Sequence, residues 1–241
     1  MVIISKKRIL LVLVILGISV LIFKITNSVY KNNIETVALP VSNKVVVIDA
    51  GHGYPDDGAQ SSNGTTENKI NLKITLKLQN LLEQSGCTVI LTRSDENGIY
   101  DLDKTTLKEK KVSDIKNRVK IGNSVSADIF VSIHLNKIPQ GQYWGWQTFY
   151  KKNSENSKAL AKCIQENLNK AISEENKRQS LTISNKYIVD HVEIPISIVE
   201  CGFLSNKDEE EKLQTDEYQD KLAWGIYTGI IDYFNNTKIR E

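Results

Sequence analysis

Cysteine is scarce in this chain. Three residues, Cys87, Cys163 and Cys201, are spread over 241 positions. An odd and small number is no disulfide framework; one bridge is available, and the sequence does not pair the residues. There is no C-x-x-C and no Cys/His cluster of the kind that builds a structural zinc site. Histidine is equally scarce, at three residues, and no H-E-x-x-H helix is present, which excludes a zincin of that type. Internal repeats and low-complexity runs are absent. A surplus of one charge is missing too: 31 basic and 29 acidic residues leave a formal +2. Residues 1–39 hold Lys6, Lys7, Arg8, Lys24 and Lys31 against Glu35, so the remainder carries 26 basic and 28 acidic side chains. A near-neutral domain lacks the basic face that nucleic acid requires, and none is expected as a partner.

Long apolar runs are limited to one. Ile9–Phe23 has 15 residues without a charge, behind Lys6-Lys7-Arg8 and ahead of Lys24. That order is a charged n-region followed by an apolar h-region. The run is short for a span, at roughly 1.5 Å per residue against a ~30 Å hydrocarbon core, although Ile25–Val29 extends it if Lys24 snorkels. No A-x-A-like cleavage site follows, which favours an uncleaved signal anchor over a cleaved signal peptide. Either one puts the basic end inside and the domain outside. About 200 residues remain, enough for one domain with one core. Their 40% apolar and 25% charged composition is ordinary for a globular protein.

Strands and helices alternate along that remainder. Lys44–Asp49 reads as a strand buried on both faces. Thr66–Ser85 reads as a helix with Ile70, Ile74, Leu78, Leu81 and Leu82 at helical spacing, Thr65 or Thr66 as its cap and Gly86 as its stop. Thr88–Thr92, Asp128–Ile133, Gln147–Tyr150 and Pro195–Val199 read as further strands. Lys104–Asn123, Ser157–Ile172 and Glu217–Phe234 read as amphipathic helices. The pattern predicts an α/β domain with a mostly parallel sheet, in which ligands bind beyond the carboxyl ends of the strands.

Four polar side chains fall at that edge. His52 lies just past the first strand, in Ala50-Gly-His-Gly53; His134 and Glu200 end two other strands; Glu67 opens the helix that follows the His52 loop. Each has an ordinary structural explanation alone, such as a satisfied strand-end histidine or a helix-capping acid. Together, two imidazoles and one carboxylate form a catalytic zinc set that leaves a position for water, and a further carboxylate can take the water's proton. In Gln142-Tyr-Trp-Gly-Trp146, the residues Tyr143, Trp144 and Trp146 are either an aromatic wall for a sugar face or edge residues over a small core. Cys201, beside Glu200, is either a nucleophile or a small buried packing residue.

The motifs resemble those of zinc-dependent N-acetylmuramoyl-L-alanine amidases. The matching pieces are Val47-Ile-Asp-Ala-Gly-His-Gly53 with Asp57-Gly58-Ala59, Glu67-Asn68 with Asn71-Leu72, and Leu91-Thr-Arg93. Arg118 with Asn123, Ala127-Asp128, Ser132-Ile-His134 with Asn136, and Pro195 with Val199-Glu-Cys-Gly-Phe-Leu-Ser-Asn206 complete the set. They occur in family order over roughly residues 44–235. The resemblance implies a single domain with a twisted sheet of about six strands flanked by helices. It implies Zn2+ as cofactor, with His52, Glu67 and His134 as ligands and Glu200 as the catalytic glutamate. It implies hydrolysis of the amide between N-acetylmuramic acid and L-alanine in peptidoglycan, the alternative being a non-catalytic peptidoglycan-binding protein of the same fold. Near Asp190, beside His191, many relatives carry a basic residue. The resulting organisation is a signal anchor or signal peptide at 1–29, a polar tether at 30–43 and a catalytic domain at 44–235. Such a small tethered domain is similar to the sporulation and germination subgroup, which implies spore cortex and muramic δ-lactam formation. It also implies an exported location, in the spore intermembrane space for that subgroup, and an extracytoplasmic protein partner.

Overall fold

The computed structural model describes residues 6–31 and 39–238. They form two compact units, one up to Ala38 and one from Leu39 onward.

The described part of the first unit is a single helix, α1 (Lys6–Lys31). Its successive side chains Leu13, Val14, Ile15 and Leu16 are all at least half exposed, as are Ile18, Val20 and Leu21. At 100° per residue, four successive apolar residues cover every side of the helix, so α1 has no polar face. Among the described residues, no helix is long and apolar enough to cross a membrane. Half of the expected tether at 30–43, residues 32–38, lies outside the described residues, and residues 30–31 belong to α1. Its last part, from Leu39, is a turn of the second unit whose Val41 is fully buried.

The second unit is built around one six-stranded sheet. Its elements are β1 (Val45–Ala50), α2 (Glu67–Gln84), β2 (Thr88–Leu91), α3 (Leu107–Ser124), β3 (Ile129–Asn136) and β4 (Gln147–Lys151). They continue with α4 (Glu155–Ala171), β5 (Leu181–Ile183), α5 (Tyr187–His191), β6 (Ile196–Phe203), α6 (Lys207–Leu213) and α7 (Asp216–Lys238). The strand order is β2-β1-β3-β6-β4-β5. The first four strands are mutually parallel, and β4 joins β6 antiparallel with β5 parallel to β4. The expected six-stranded, mostly parallel α/β domain is the observed one.

Both faces of the sheet are covered, which is why its strands read as continuous apolar runs. Val46, Ile48, Val131, Ile133 and Val199 face the larger core, with Ile74 and Leu78 of α2, Leu160 and Ile164 of α4 and Leu222 and Ile226 of α7. Val47, Phe130, Ile196 and Ile198 point the other way, against Val119 of α3 and Ile188 and Val189 of α5.

Several boundaries differ from the sequence reading for local reasons. A capping box between Thr106 and Glu109 starts α3 at Leu107 rather than at Lys104. Ser154 accepts from Ser157 N at 3.2 Å and starts α4 at Glu155 rather than Ser157. Neither candidate cap of α2 caps it through its side chain. Thr66 is the N-cap residue, but its hydroxyl is buried without a partner, and the Thr65 hydroxyl donates to Glu210 Oε1 at 2.7 Å. The short elements β5, α5 and α6 carry too few residues to show a period and were not expected.

Candidate functional site

Parallel strands bring their carboxyl ends to one edge, and three of the four proposed side chains arrive there from β1, β3 and β6. Within that sheet His134 and Glu200 are register partners. His52 lies two residues past Ala50, the last residue of β1, and Glu67 is the first residue of α2. At His52 the chain turns back with φ 63°. That left-handed conformation costs a residue with a Cβ about 1–3 kcal/mol, and it persists only where the surroundings enforce it.

The side chains meet. His52 Nε2 lies 3.3 Å from Glu67 Oε2, and His134 Nδ1 lies 3.0 Å from Glu67 Oε1. The two rings stand edge to face with centroids 5.1 Å apart. One ligand atom from each of His52, Glu67 and His134 falls within 4.8 Å of the others. Two glycines leave the room. A Cβ on Gly51 would come within 2.3 Å of His134 Cε1, and one on Gly58 within 2.6 Å of Glu67 Oε2. Glu67 is fixed by Ala59 N at 2.8 Å and Leu135 N at 3.0 Å.

Burial disfavours the charged form of Glu67, yet hydrogen bonds and charge from both imidazoles hold its carboxyl well below the usual range. Burial likewise opposes the imidazolium of His52, but Asp56 and Glu67 outweigh it and push its pKa up to about 9. A buried carboxylate between two nitrogen donors is a site that binds a cation, and protons occupy it when no metal competes. The donor set of two imidazole nitrogens and one carboxylate oxygen fits Zn2+. Glu200 completes the arrangement. Its Oε2 is buried and has no hydrogen-bond partner, burial raises its pKa, and the charges of His134, Glu67, His52 and Lys186 act on it.

Asp56 was not singled out from sequence. Its Oδ2 lies 2.9 Å from His52 Nδ1 and its Oδ1 lies 2.8 Å from Lys111 Nζ. It therefore fixes the ring so that Nε2 faces Glu67. An acid four residues from a candidate histidine in a Gly/Pro turn was the available signal. Trp146 is not part of an aromatic wall: it is fully buried and donates Nε1 to Asn169 at 2.7 Å. Tyr143 and Trp144 of the same segment stay exposed. Cys201 is fully buried, and burial raises its thiol pKa far above the ordinary value, which removes it as a nucleophile. All three cysteines are free. His191 stacks on Tyr187 with centroids 3.9 Å apart, and the charge of Lys186, next to Tyr187, acts on Glu200.

Residues 46–232 match the family of N-acetylmuramoyl-L-alanine amidases. The chain belongs to that family. It is an amidase by the same token, with relatives of that activity. The germination-specific N-acetylmuramoyl-L-alanine amidase of Bacillus subtilis (strain 168) is 34% identical over 231 residues, covering 95% of this chain and 96% of its own. The solved structure of the CwlD amidase from Clostridioides difficile in complex with the GerS lipoprotein is 44% identical. It superposes with a TM-score of 0.79 over 80% of this chain and 100% of that one. The amidase Ami1 from Mycobacterium smegmatis shares the fold, with a TM-score of 0.70 at 18% identity.

Proposed function

We propose that this amidase hydrolyses the bond between the lactyl carbonyl of N-acetylmuramic acid and the amine of L-alanine in peptidoglycan. His52, Glu67 and His134 hold Zn2+ in this reading, and Glu200 moves the proton. The observation that carries it is the convergence of these three donors within 4.8 Å, beside a carboxylate that is a register partner of His134 and has an unpaired buried oxygen.

Zn2+ at that position supplies Lewis acidity, which brings the deprotonation of water toward neutral pH and polarises a carbonyl. Glu67, buried and anionic, offsets part of the metal's charge and joins the two histidine-bearing segments. Glu200 accepts the proton of the attacking water. Its raised pKa then lets it return that proton to the departing amine of L-alanine, as the carbon–nitrogen bond breaks and the lactyl carboxyl forms. Tyr143 and Trp144, exposed in the segment that leads into Gln147, the β4 register partner of Glu200, are the aromatic side chains this reading assigns to a sugar face.

The rest of the reading follows from α1 and from the relatives. A helix that is apolar on every side, behind Lys6-Lys7-Arg8, directs the domain out of the cytoplasm and attaches it to the membrane. Similarity to a germination-specific amidase supports spore cortex peptidoglycan as the substrate and δ-lactam formation as the outcome. The Clostridioides difficile relative was solved with a lipoprotein, which supports an extracytoplasmic protein partner here.

Glu200→Gln decides the mechanism. It is expected to retain zinc and to lose turnover by about 100-fold or more, measured as amine released from purified peptidoglycan. Undiminished turnover would remove Glu200 as the proton carrier. His134→Ala is expected to lose both metal and turnover.

A further inference from the structure

Two buried arginines hold the backbone that leaves β1. Arg93, just past β2, donates Nε to Ala50 O at 2.8 Å. Its Nη2 reaches both Gly51 O at 3.0 Å and Asn68 O at 2.8 Å. Arg118, on α3, donates Nη1 to Ala50 O at 2.7 Å and to Asp49 Oδ1 at 2.6 Å, and Nη2 to His52 O at 2.5 Å. The carbonyls of Ala50, Gly51 and His52 therefore each take a guanidinium N–H. Both arginines are 3% exposed.

Asn71 Nδ2 already donates to Gly51 O at 3.1 Å, and burying two cations only to satisfy strand-end carbonyls is unfavourable. The geometry gives them a further role. The turn at His52 is left-handed, and a planar fork bonded to successive carbonyls on either side enforces it. Arg93 also bridges Gly51 O to Asn68 O, the residues next to His52 and Glu67, and so fixes the separation of those two segments. Asp49 extends the same network to β3. It accepts from Arg118, from Thr92 Oγ1 at 2.7 Å and from Ser132 Oγ at 2.5 Å, two residues before His134. Asp114 Oδ2 anchors Arg118 Nε at 2.5 Å from within α3.

We propose that Arg93 and Arg118 are positioning residues that set how tightly the site holds its metal, by imposing the turn at His52 and its distance from Glu67. The inference rests on the metal reading of the site. Lysine keeps each charge but cannot bond several carbonyls in one plane. Arg93→Lys and Arg118→Lys in the full chain are therefore expected to bind zinc about tenfold or more weakly, by competition with a chromophoric chelator, while the metal-free proteins still melt cooperatively. Asp114→Asn leaves both guanidiniums in place and weakens the anchor of Arg118, while its amide oxygen can still accept from Ile99 N, as Asp114 Oδ1 does at 2.7 Å. It is expected to weaken zinc severalfold and serves where a lysine variant does not fold. A role confined to stability would lower the melting temperature and leave zinc affinity at the wild-type value. That result, in a folded Arg93→Lys or Arg118→Lys, or in Asp114→Asn where those do not fold, overturns the inference. A wild-type chain that takes up no zinc instead overturns the metal reading, and this inference with it.

Discussion

Gly51→Ala adds one methyl group to the most crowded point of the site. The new Cβ would lie 2.3 Å from His134 Cε1, 2.4 Å from Nε2 and 2.7 Å from Nδ1. Ordinary contact between such atoms begins near ~3.5 Å, so ring and methyl must separate by about 1 Å. The backbone cannot supply that movement cheaply. Gly51 N is bonded to Ile133 O at 3.0 Å, and β3 is paired on both sides, to β1 and to β6. The ring is the part that moves, and its movement breaks the 3.0 Å approach of Nδ1 to Glu67. Metal sites tolerate ligand displacements of only about 0.2 Å, so a 1 Å shift amounts to losing the ligand. The substitution is expected to cost about 1–3 kcal/mol of stability, as overpacking does. It is expected to weaken zinc by about 100-fold or more, which exceeds the loss from a supporting residue. Chelator competition and denaturant unfolding on the same sample separate the two effects. Wild-type zinc affinity in Gly51→Ala would show instead that His134 can give way and still serve as a ligand.

Other outcomes follow from the same structure. Asp56→Asn removes the carboxylate that orients His52 and is expected to weaken zinc by about 10–100-fold with the fold intact; equal affinity by chelator competition would count against that role. Trp146→Ala is expected to cost about 3–5 kcal/mol in denaturant unfolding and to leave zinc affinity unchanged, since the ring fills the core and not the groove. Glu209 has its pKa raised by burial from 4.5 to about 7, while accepting from Phe203 N at 2.7 Å and Gly145 N at 2.8 Å. Because the folded value exceeds the unfolded one, its favourable contribution is complete below pH 4.5 and is lost as pH rises through about 7. At ~1.36 kcal/mol per pH unit the loss is about 3 kcal/mol. Glu209→Gln should flatten the dependence of melting temperature on pH across that window, and an unchanged slope would show that another group carries it.

The sequence alone determined the alternation of strands and helices, because periodicity reports which faces are apolar and those faces must be buried. It also singled out four candidate residues for the chemistry. His52 follows a strand and Glu67 begins a helix, while His134 and Glu200 lie in the C-terminal halves of β3 and β6, which run on to Asn136 and Phe203; the parallel arrangement brings such positions to one edge. What it left open depended on where side chains point once distant segments meet. Trp146 and Trp144 are two residues apart in one aromatic stretch, yet one is sealed in the core beside Asn169 and the other faces solvent. Thr66 has the residue type and position of a cap, but its hydroxyl makes no bond. Arg93 and Arg118 stood in recognisable motifs, but nothing local in either motif shows that both reach the carbonyls of residues 50–52. Hydrogen-bond partners far apart in sequence are set by the register of β1 against β2 and β3 and by the packing of α3, and the periodicity that reveals an element carries no record of its neighbours.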